Sequence, residues 1–101
     1  MRNGEMINEK PWNRGEDWWC GSLYYSGQIR TVTIERATPW TPADIEASEP
    51  GSTWMASVGN RRAFGRSPRA AYDALIAKVE NYGATAMAAA LRTRGSLEVL
   101  P

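Results

Sequence analysis

The chain of 101 residues contains no histidine and only one cysteine, Cys20. Without histidine it lacks the most common general base, the Ser–His and Cys–His nucleophile pairs, and the ligand of most transition-metal sites. A single cysteine also excludes an intrachain disulfide. Because Cys20 stands between Trp19 and Gly21 with no second ligand, we expect a buried and unreactive thiol.

Other signatures of catalysis are missing as well. The glycines of "GNRRAFGRS", Gly59 and Gly65, lack the lysine of a phosphate-binding loop and are typical of turns. Glu16 and Asp17 adjoin a predicted strand, and no spacing among the acidic residues matches a metal-binding loop. We therefore predict a protein that is not an enzyme and that uses no cofactor and no metal.

Long apolar runs are also absent. None approaches the roughly 20 residues that a membrane-spanning helix requires. The N-terminal sequence "MRNGEMINEKPWNRGED" has no apolar core of the kind found in signal peptides. These features lead us to expect a cytoplasmic protein without membrane contact.

The charge is nearly balanced overall but divided along the chain. Twelve basic and eleven acidic residues leave a net charge of +1, which selects neither nucleic acid nor membrane. Residues 1–60 hold five basic and eight acidic side chains, whereas residues 61–101 hold seven basic and three acidic ones. Ten of the basic residues are arginine, whose planar guanidinium suits carboxylates, phosphates and aromatic rings.

Two segments have the pattern of β-hairpins. Residues 16–36 join the aromatic run "DWWCGSLYY" to the alternating run "QIRTVTIER" through "SGQ", where Gly27 can take a positive φ. Residues 52–66 carry two shorter apolar runs on either side of the turn signal "GN". Residues 1–15 show neither helical nor strand periodicity, so we expect an irregular N-terminal arm there.

Between the hairpins, residues 37–51 form a proline-rich connector. Its three prolines and one glycine exclude the interior of a strand. Thr41 as the N-cap, Pro42 at the first helical position and Asp44 in the first turn predict one or two helical turns, which extend through Ala47.

Residues 67–95 are predicted to be a helical region. Ser67 as the N-cap and Pro68 at the first helical position mark its start, and Gly83 is a predicted stop. The apolar residues between them have the helical spacing i, i+3, i+4, i+7 and are Tyr72, Leu75, Ile76 and Val79.

The end of the chain predicts a second helix. Residues 84–95 are rich in alanine, and Arg92 and Arg94 would lie favourably at the negative end of the helix dipole. The final "SLEVLP" is expected to add a short edge strand. The whole chain therefore predicts a single α+β domain of two layers. About four antiparallel strands, arriving as two hairpins, carry one or two C-terminal helices on one face.

Strand alternation predicts the two faces of that sheet. The residues expected to face the helices are Trp19, Leu23, Tyr25, Val32, Ile34, Trp54, Ala56 and Val58. The outer face then carries Trp18, Tyr24 and Met55 among serine and threonine side chains. Either the arm or the connector covers this face with Trp12 or Trp40, or the face is an exposed apolar patch of the kind that binds partners. A β-bulge that shifts the alternation is a third possibility.

Four arginines, Arg61, Arg62, Arg66 and Arg69, fall within nine residues around the second hairpin and a helix N-terminus. They are compatible with a solvated turn. They are also compatible with a site for phosphates or an acidic protein surface, because a helix N-terminus favours anions.

The segment "STWMASVGNRRAFGRSPRAAYDALIAKV" resembles the strand–strand–helix unit of HicB-like antitoxins. Gly65, Ser67, Pro68 and Ala71 carry the likeness. The same unit is similar to the C-terminal half of double-stranded RNA-binding domains. This resemblance implies the fold of residues 52–79, and it implies nucleic-acid binding or an antitoxin role for a module that uses the four arginines.

In kind, the chain is similar to small phage and prophage accessory proteins, of which anti-CRISPR proteins are the best known. That resemblance implies a non-enzymatic inhibitor, located in the host cytosol, that blocks a host defence complex such as a CRISPR effector. The expected contact surfaces are the outer face with Trp18, Tyr24 and Met55, and an acidic stretch that mimics phosphates. The residues of that stretch are Asp44, Glu46 and Glu49.

Two alternatives stay open at this point. One is the nucleic-acid-binding or antitoxin-like module. The other is a homodimeric structural protein that buries its aromatic face against a second copy.

Overall fold

The computed structural model describes residues 6–101, which form an antiparallel sheet with two long helices packed on one face. The strands are β1 (Asn13–Arg14), β2 (Trp18–Tyr25), β3 (Gln28–Arg36), β4 (Trp54–Val58) and β5 (Arg61–Gly65). The helices are α1 (Pro42–Ala47), α2 (Pro68–Asn81) and α3 (Thr85–Gly95), and a 3-10 turn spans Ile7–Glu9. The strands lie side by side in chain order, so the α+β prediction is confirmed, with five strands in place of about four.

Both predicted hairpins are present. Ser26 and Gly27 have φ values of 49° and 75°, as a two-residue turn between twisted strands requires. This turn pairs Tyr25 with Gln28 and sets the register of β2 and β3. The "GN" turn likewise connects β4 to β5, so short-range turn signals determine four of the five strands.

The fifth strand comes from the N-terminal arm, which was expected to be irregular. Residues 1–5 of that arm lie outside the described residues. Further along, β1 pairs with β2, and the Asn8 side chain makes two hydrogen bonds, of 2.8 and 2.7 Å, with the backbone of Tyr24. Trp12 is buried at the same edge. A two-residue strand has no periodicity to detect, so only these long-range contacts reveal it.

The core lies between the sheet and helices α2 and α3. The predicted inward residues of β2, β3 and β4 are buried, except that Tyr25 is only half-buried. They pack against the predicted α2 stripe, all four members of which are buried. Ser67 caps α2 by accepting a hydrogen bond from the Ala70 N–H at 3.0 Å, and Gly83 follows the helix with a φ of 82°. The sheet alternation and the helix limits were therefore predictable from local sequence.

The last six residues do not form the expected edge strand. Leu100 is buried against the core, and the carbonyl of Pro101 accepts a hydrogen bond of 3.0 Å from the Arg69 N–H. The first N–H groups of a helix have no partner within the helix. The N–H of Arg69 at the start of α2 can therefore bind the last residue, without a β-strand in this segment.

Candidate protein-binding face

The outer face of the sheet is divided into a covered half and an open half. Over β4 and β5, the connector folds back onto the sheet. The Trp40 ring meets the Phe64 ring edge-on, with centroids 5.7 Å apart, and the Arg62 guanidinium lies 4.3 Å from the Trp40 ring. Phe64 and Met55 are buried beneath this cover. Met55 is therefore not part of an exposed binding surface, contrary to the prediction.

An ion pair fastens the cover to the sheet. Thr41 caps α1 by accepting a hydrogen bond from the Asp44 N–H and donates its hydroxyl proton to the same residue's carboxylate. Oδ2 of Asp44 also accepts hydrogen bonds from Arg62 at 3.0 Å (Nε) and 2.8 Å (Nη2). The hydrogen bond from Arg62 is the largest influence on the Asp44 carboxyl and holds its pKa below the ordinary value, despite burial.

These contacts correct the predicted acidic stretch. Asp44 is only 8% exposed and its charge is already paired, so it cannot present a phosphate-like surface. Glu46 is exposed, and the exposed Glu49 carboxylate lies 3.7 Å from Arg66. The three acids are therefore not one surface.

The open half lies over β2 and β3. We call it the open face and define it by the outward side chains of the two strands, which are Trp18, Cys20, Ser22, Tyr24, Ile29, Thr31, Thr33 and Glu35. Trp18 is 44% exposed and Ile29 is 55% exposed, while Tyr24 is half-buried. The sequence interpretation found Trp18 and Tyr24 but missed Ile29, which the alternation of "QIRTVTIER" places on the same face.

Large apolar side chains occupy the two ends of the open face. Tyr24 lies opposite Ile29 at one end, and Trp18 lies at the other, about 20 Å away along β2 at roughly 3.3 Å per residue. Between the ends are small side chains, including Ser22 opposite Thr31. The face therefore offers two apolar anchor points joined by a strip of small, uncharged side chains.

Charge on the open face is confined to the Trp18 end. Glu35 pairs directly with Trp18, and the exposed Glu16 and Asp17 immediately precede it in the chain. A partner suited to this face would carry apolar pockets and a basic rim beside one of them.

The single thiol also lies on this face. Cys20 is half-buried among the outward side chains of β2, not enclosed in the core as expected. The alternation of side chains along β2 explains the difference. Trp19 and Gly21, the neighbours of Cys20, point inward, so Cys20 points outward.

The arginine cluster predicted from the sequence is dispersed by the fold. Arg61 and Arg62 are adjacent in a strand and therefore point to opposite faces. Arg61 lies 4.3 Å from the Tyr82 ring, and Arg62 binds Asp44. Arg66 donates to the Pro50 carbonyl, while Arg69 lies near Asp73 and the Glu98 carbonyl. Each side chain is engaged locally, so the four do not form a common basic surface.

A buried arginine is the main structural residue that sequence reasoning missed. Arg94 was expected at the C-terminal end of the last helix, beside the negative end of the helix dipole, and its burial there was not foreseen: it is only 1% exposed. Its guanidinium donates to the Ile7 carbonyl at 2.7 Å and lies 5.1 Å from the Trp12 ring. Burial is the main cause that lowers the pKa of this group. Its Nε atom has no hydrogen-bond partner among the described residues.

Gly21 makes the space for that guanidinium. A β-carbon at Gly21 would stand 2.7 Å from Nε of Arg94, closer than real side chains approach. A glycine in the middle of a strand often marks such a close approach, and this was the available signal in the sequence. The Arg94 carbonyl in turn accepts a hydrogen bond of 3.0 Å from the Trp12 indole. The arm is thus held to α3 behind the open face.

Neither a metal centre nor a membrane span is evident in the part of the chain that the structure describes. Residues 6–101 contain no group of three or more cysteine and acidic side chains placed to hold a metal ion. Within the same range, no helix combines the length and apolar character needed to cross a bilayer. The chain matches no known family model, no curated protein sequence and no solved structure.

Proposed function

We propose that this protein is a non-enzymatic binding protein that engages a protein partner through the open face. The observation that carries the proposal is the exposure of Trp18 and Ile29 on a sheet whose neighbouring half is covered. Aromatic and apolar side chains supply most of the binding energy in protein interfaces when they enter partner pockets. Because the side chains between the two anchors are small, a partner can contact both anchors at once.

The charges of the open face favour a protein partner over a nucleic acid. Its one charged member is Glu35, and the acidic residues beside Trp18 would repel phosphates. The dispersed arginines offer no alternative basic surface on the same face. The resemblance to phage accessory inhibitors extends this proposal to a host defence complex with a basic, nucleic-acid-binding surface. A CRISPR effector is the first partner to test.

The test is capture of partners from a nuclease-treated host lysate with tagged wild-type protein and two variants. Ile29→Arg places a charge in the middle of the apolar end of the open face. Val99→Arg is the matched control, because Val99 is 89% exposed and does not belong to the open face. Bound proteins are identified by mass spectrometry, and the oligomeric state is measured by analytical ultracentrifugation.

We expect a stoichiometric protein partner that binds wild type and Val99→Arg but not Ile29→Arg. Equal capture by both variants would show that the open face is not the contact. Recovery of nucleic acid alone, lost on nuclease treatment, would favour the antitoxin-like module. A concentration-dependent dimer that Ile29→Arg dissociates would favour the homodimer.

A further inference from the structure

The outer edge of β5 is a second surface with a defined chemistry. The two-residue turn before β5 makes Val58 and Arg61 a hydrogen-bonded pair. The backbone N–H and C=O groups of successive residues in a strand point to opposite sides of that strand. Arg61, Ala63 and Gly65 therefore form hydrogen bonds with β4. The N–H and C=O groups of Arg62 and Phe64 point away from the sheet. The position of Lys78 agrees with this assignment, since its ammonium group donates to the Arg62 carbonyl at 2.8 Å.

Those outward groups are only partly satisfied. Lys78 occupies the Arg62 carbonyl, where the N–H of a further strand would otherwise lie. No hydrogen bond within residues 6–101 reaches the outward N–H or C=O of Phe64, because β5 has β4 as its single strand neighbour. An unpaired donor and acceptor on one edge residue is the pattern that an added strand satisfies.

A groove of about 390 Å³ runs along this edge. Ala47 and Ser48, at the end of α1, form one wall, and Ala74, Ala77 and Lys78 of α2 form the other. The small side chains leave room for another backbone beside β5. Asp44, Arg62 and Lys78 together leave one net positive charge in the groove, and the ammonium group of Lys78 is the cation not bound to the carboxylate.

We propose that this groove binds an extended acidic peptide segment of a partner protein, which adds to β5 as a sixth strand. Backbone hydrogen bonds from the segment would satisfy Phe64 and replace Lys78 at the Arg62 carbonyl. The released ammonium group then pairs with an Asp or Glu of the segment. This site is separate from the open face and does not depend on it.

Spacing along the groove specifies the segment further. Ala74 and Lys78 are one helical turn apart, which is about 6 Å at 1.5 Å per residue. Two residues of an extended strand span about 6.6 Å and point the same way. The segment therefore has a small apolar residue facing Ala74 and, two positions away, an acidic residue facing Lys78.

The experiment is selection of a random-peptide display library on the full-length protein, followed by binding and NMR measurements with the enriched peptides. Ala77→Trp fills the groove from an exposed helix position and should weaken binding at least about tenfold. Ala86→Trp is the matched control, because Ala86 is an exposed alanine of α3 outside the groove. Lys78→Glu should weaken binding of the acidic peptide. The same variant should bind a peptide in which Lys replaces the acidic residue.

The expected result is a shared apolar-x-acidic pattern, with the Phe64 amide protected from hydrogen exchange in the complex. Trp18→Ala should bind these peptides normally, which separates this site from the open face. Three results would each overturn the proposal. They are no enrichment, enriched peptides that bind Ala77→Trp and Ala86→Trp equally, or a Phe64 amide that stays unprotected.

Discussion

The two halves of the outer sheet face share one strand alternation but differ in what lies over them. Above β4 and β5, Phe64 and Met55 are enclosed beneath the connector. Above β2 and β3, Trp18 and Ile29 face solvent. The alternation predicts which residues point outward, but the path of the connector decides which of them are covered.

The side chains of each half explain why the connector covers one and leaves the other. Met55 and Phe64 are directly opposite each other, so one cover buries two large apolar groups, each worth about 1.5 to 3 kcal/mol. The middle of the open face is built from small hydroxyl side chains such as Ser22 and Thr31, which gain little from burial. Covering it would enclose polar groups for little apolar gain.

The largest expected difference between the halves is in stability. Phe64→Ala removes a ring packed between the sheet and Trp40, and should lower the free energy of unfolding by about 3 to 5 kcal/mol. Ile29→Ala, on the open face, should change it by no more than about 0.5 kcal/mol. Urea denaturation of both variants measures the contrast. If both variants lost the same free energy of unfolding, Ile29 would be packed beneath a cover in solution, as Phe64 is.

The second prediction concerns the packing of Gly21 against Arg94 behind the open half. Gly21→Ala would place a methyl group against the buried Arg94 guanidinium and should cost about 1 to 3 kcal/mol of stability. In an Arg94→Met background, the added cost of Gly21→Ala should be smaller, because the collision partner is gone. A double-mutant cycle measures this coupling. Additive losses would show that the two residues do not constrain each other.

Local signals predicted the elements of this fold better than its long-range contacts. Gly27, Ser67 and Pro68 act within a few residues, so their turn and cap were predictable. The Asp44–Arg62 pair joins residues 18 positions apart, and the hydrogen bond from Arg94 to Ile7 spans 87 positions. Nothing in the local sequence distinguishes those charged residues from solvated ones. The sequence therefore predicted the outer aromatic residues and offered a cover by the connector with Trp40 as one alternative, but it did not indicate which half is covered or that a guanidinium is buried.

The third prediction tests the ion pair that fastens the cover. Asp44→Asn keeps the side-chain shape but removes the charge paired with Arg62. The variant should lose about 1 to 2 kcal/mol at neutral pH, more than an exposed pair would contribute. Denaturation of both proteins across the acidic range measures the effect.

The loss should also depend on pH. The folded pKa of Asp44 lies below its ordinary value of 3.8, so its contribution is complete above that value. It is lost as the pH falls through the lower folded-state pKa, where wild type and Asp44→Asn should converge. A difference that stays constant through this range would show that the carboxylate charge does not hold the cover in place.

The last prediction concerns Trp18, for which we expect a small effect on stability and a large effect on binding. Trp18→Ala removes a half-exposed ring whose indole lies over Gly15, and should lower the free energy of unfolding by about 1 kcal/mol, well below the loss for Phe64→Ala. If the ring enters a pocket of the partner, the same substitution should weaken the binding of that partner by about 2 kcal/mol or more, which is a roughly thirtyfold higher Kd. Denaturation and a direct binding titration with that partner measure the two effects.

Trp40→Ala supplies the contrasting variant from the covered half. Its ring is also exposed on one side, but it packs against Phe64 and Arg62, so we expect a loss of stability and little loss of binding. Opposite responses of these two tryptophans would separate a contact residue from a covering residue on one sheet face. If both lose stability and neither loses binding, Trp18 is a packing residue and the open face is not the contact surface.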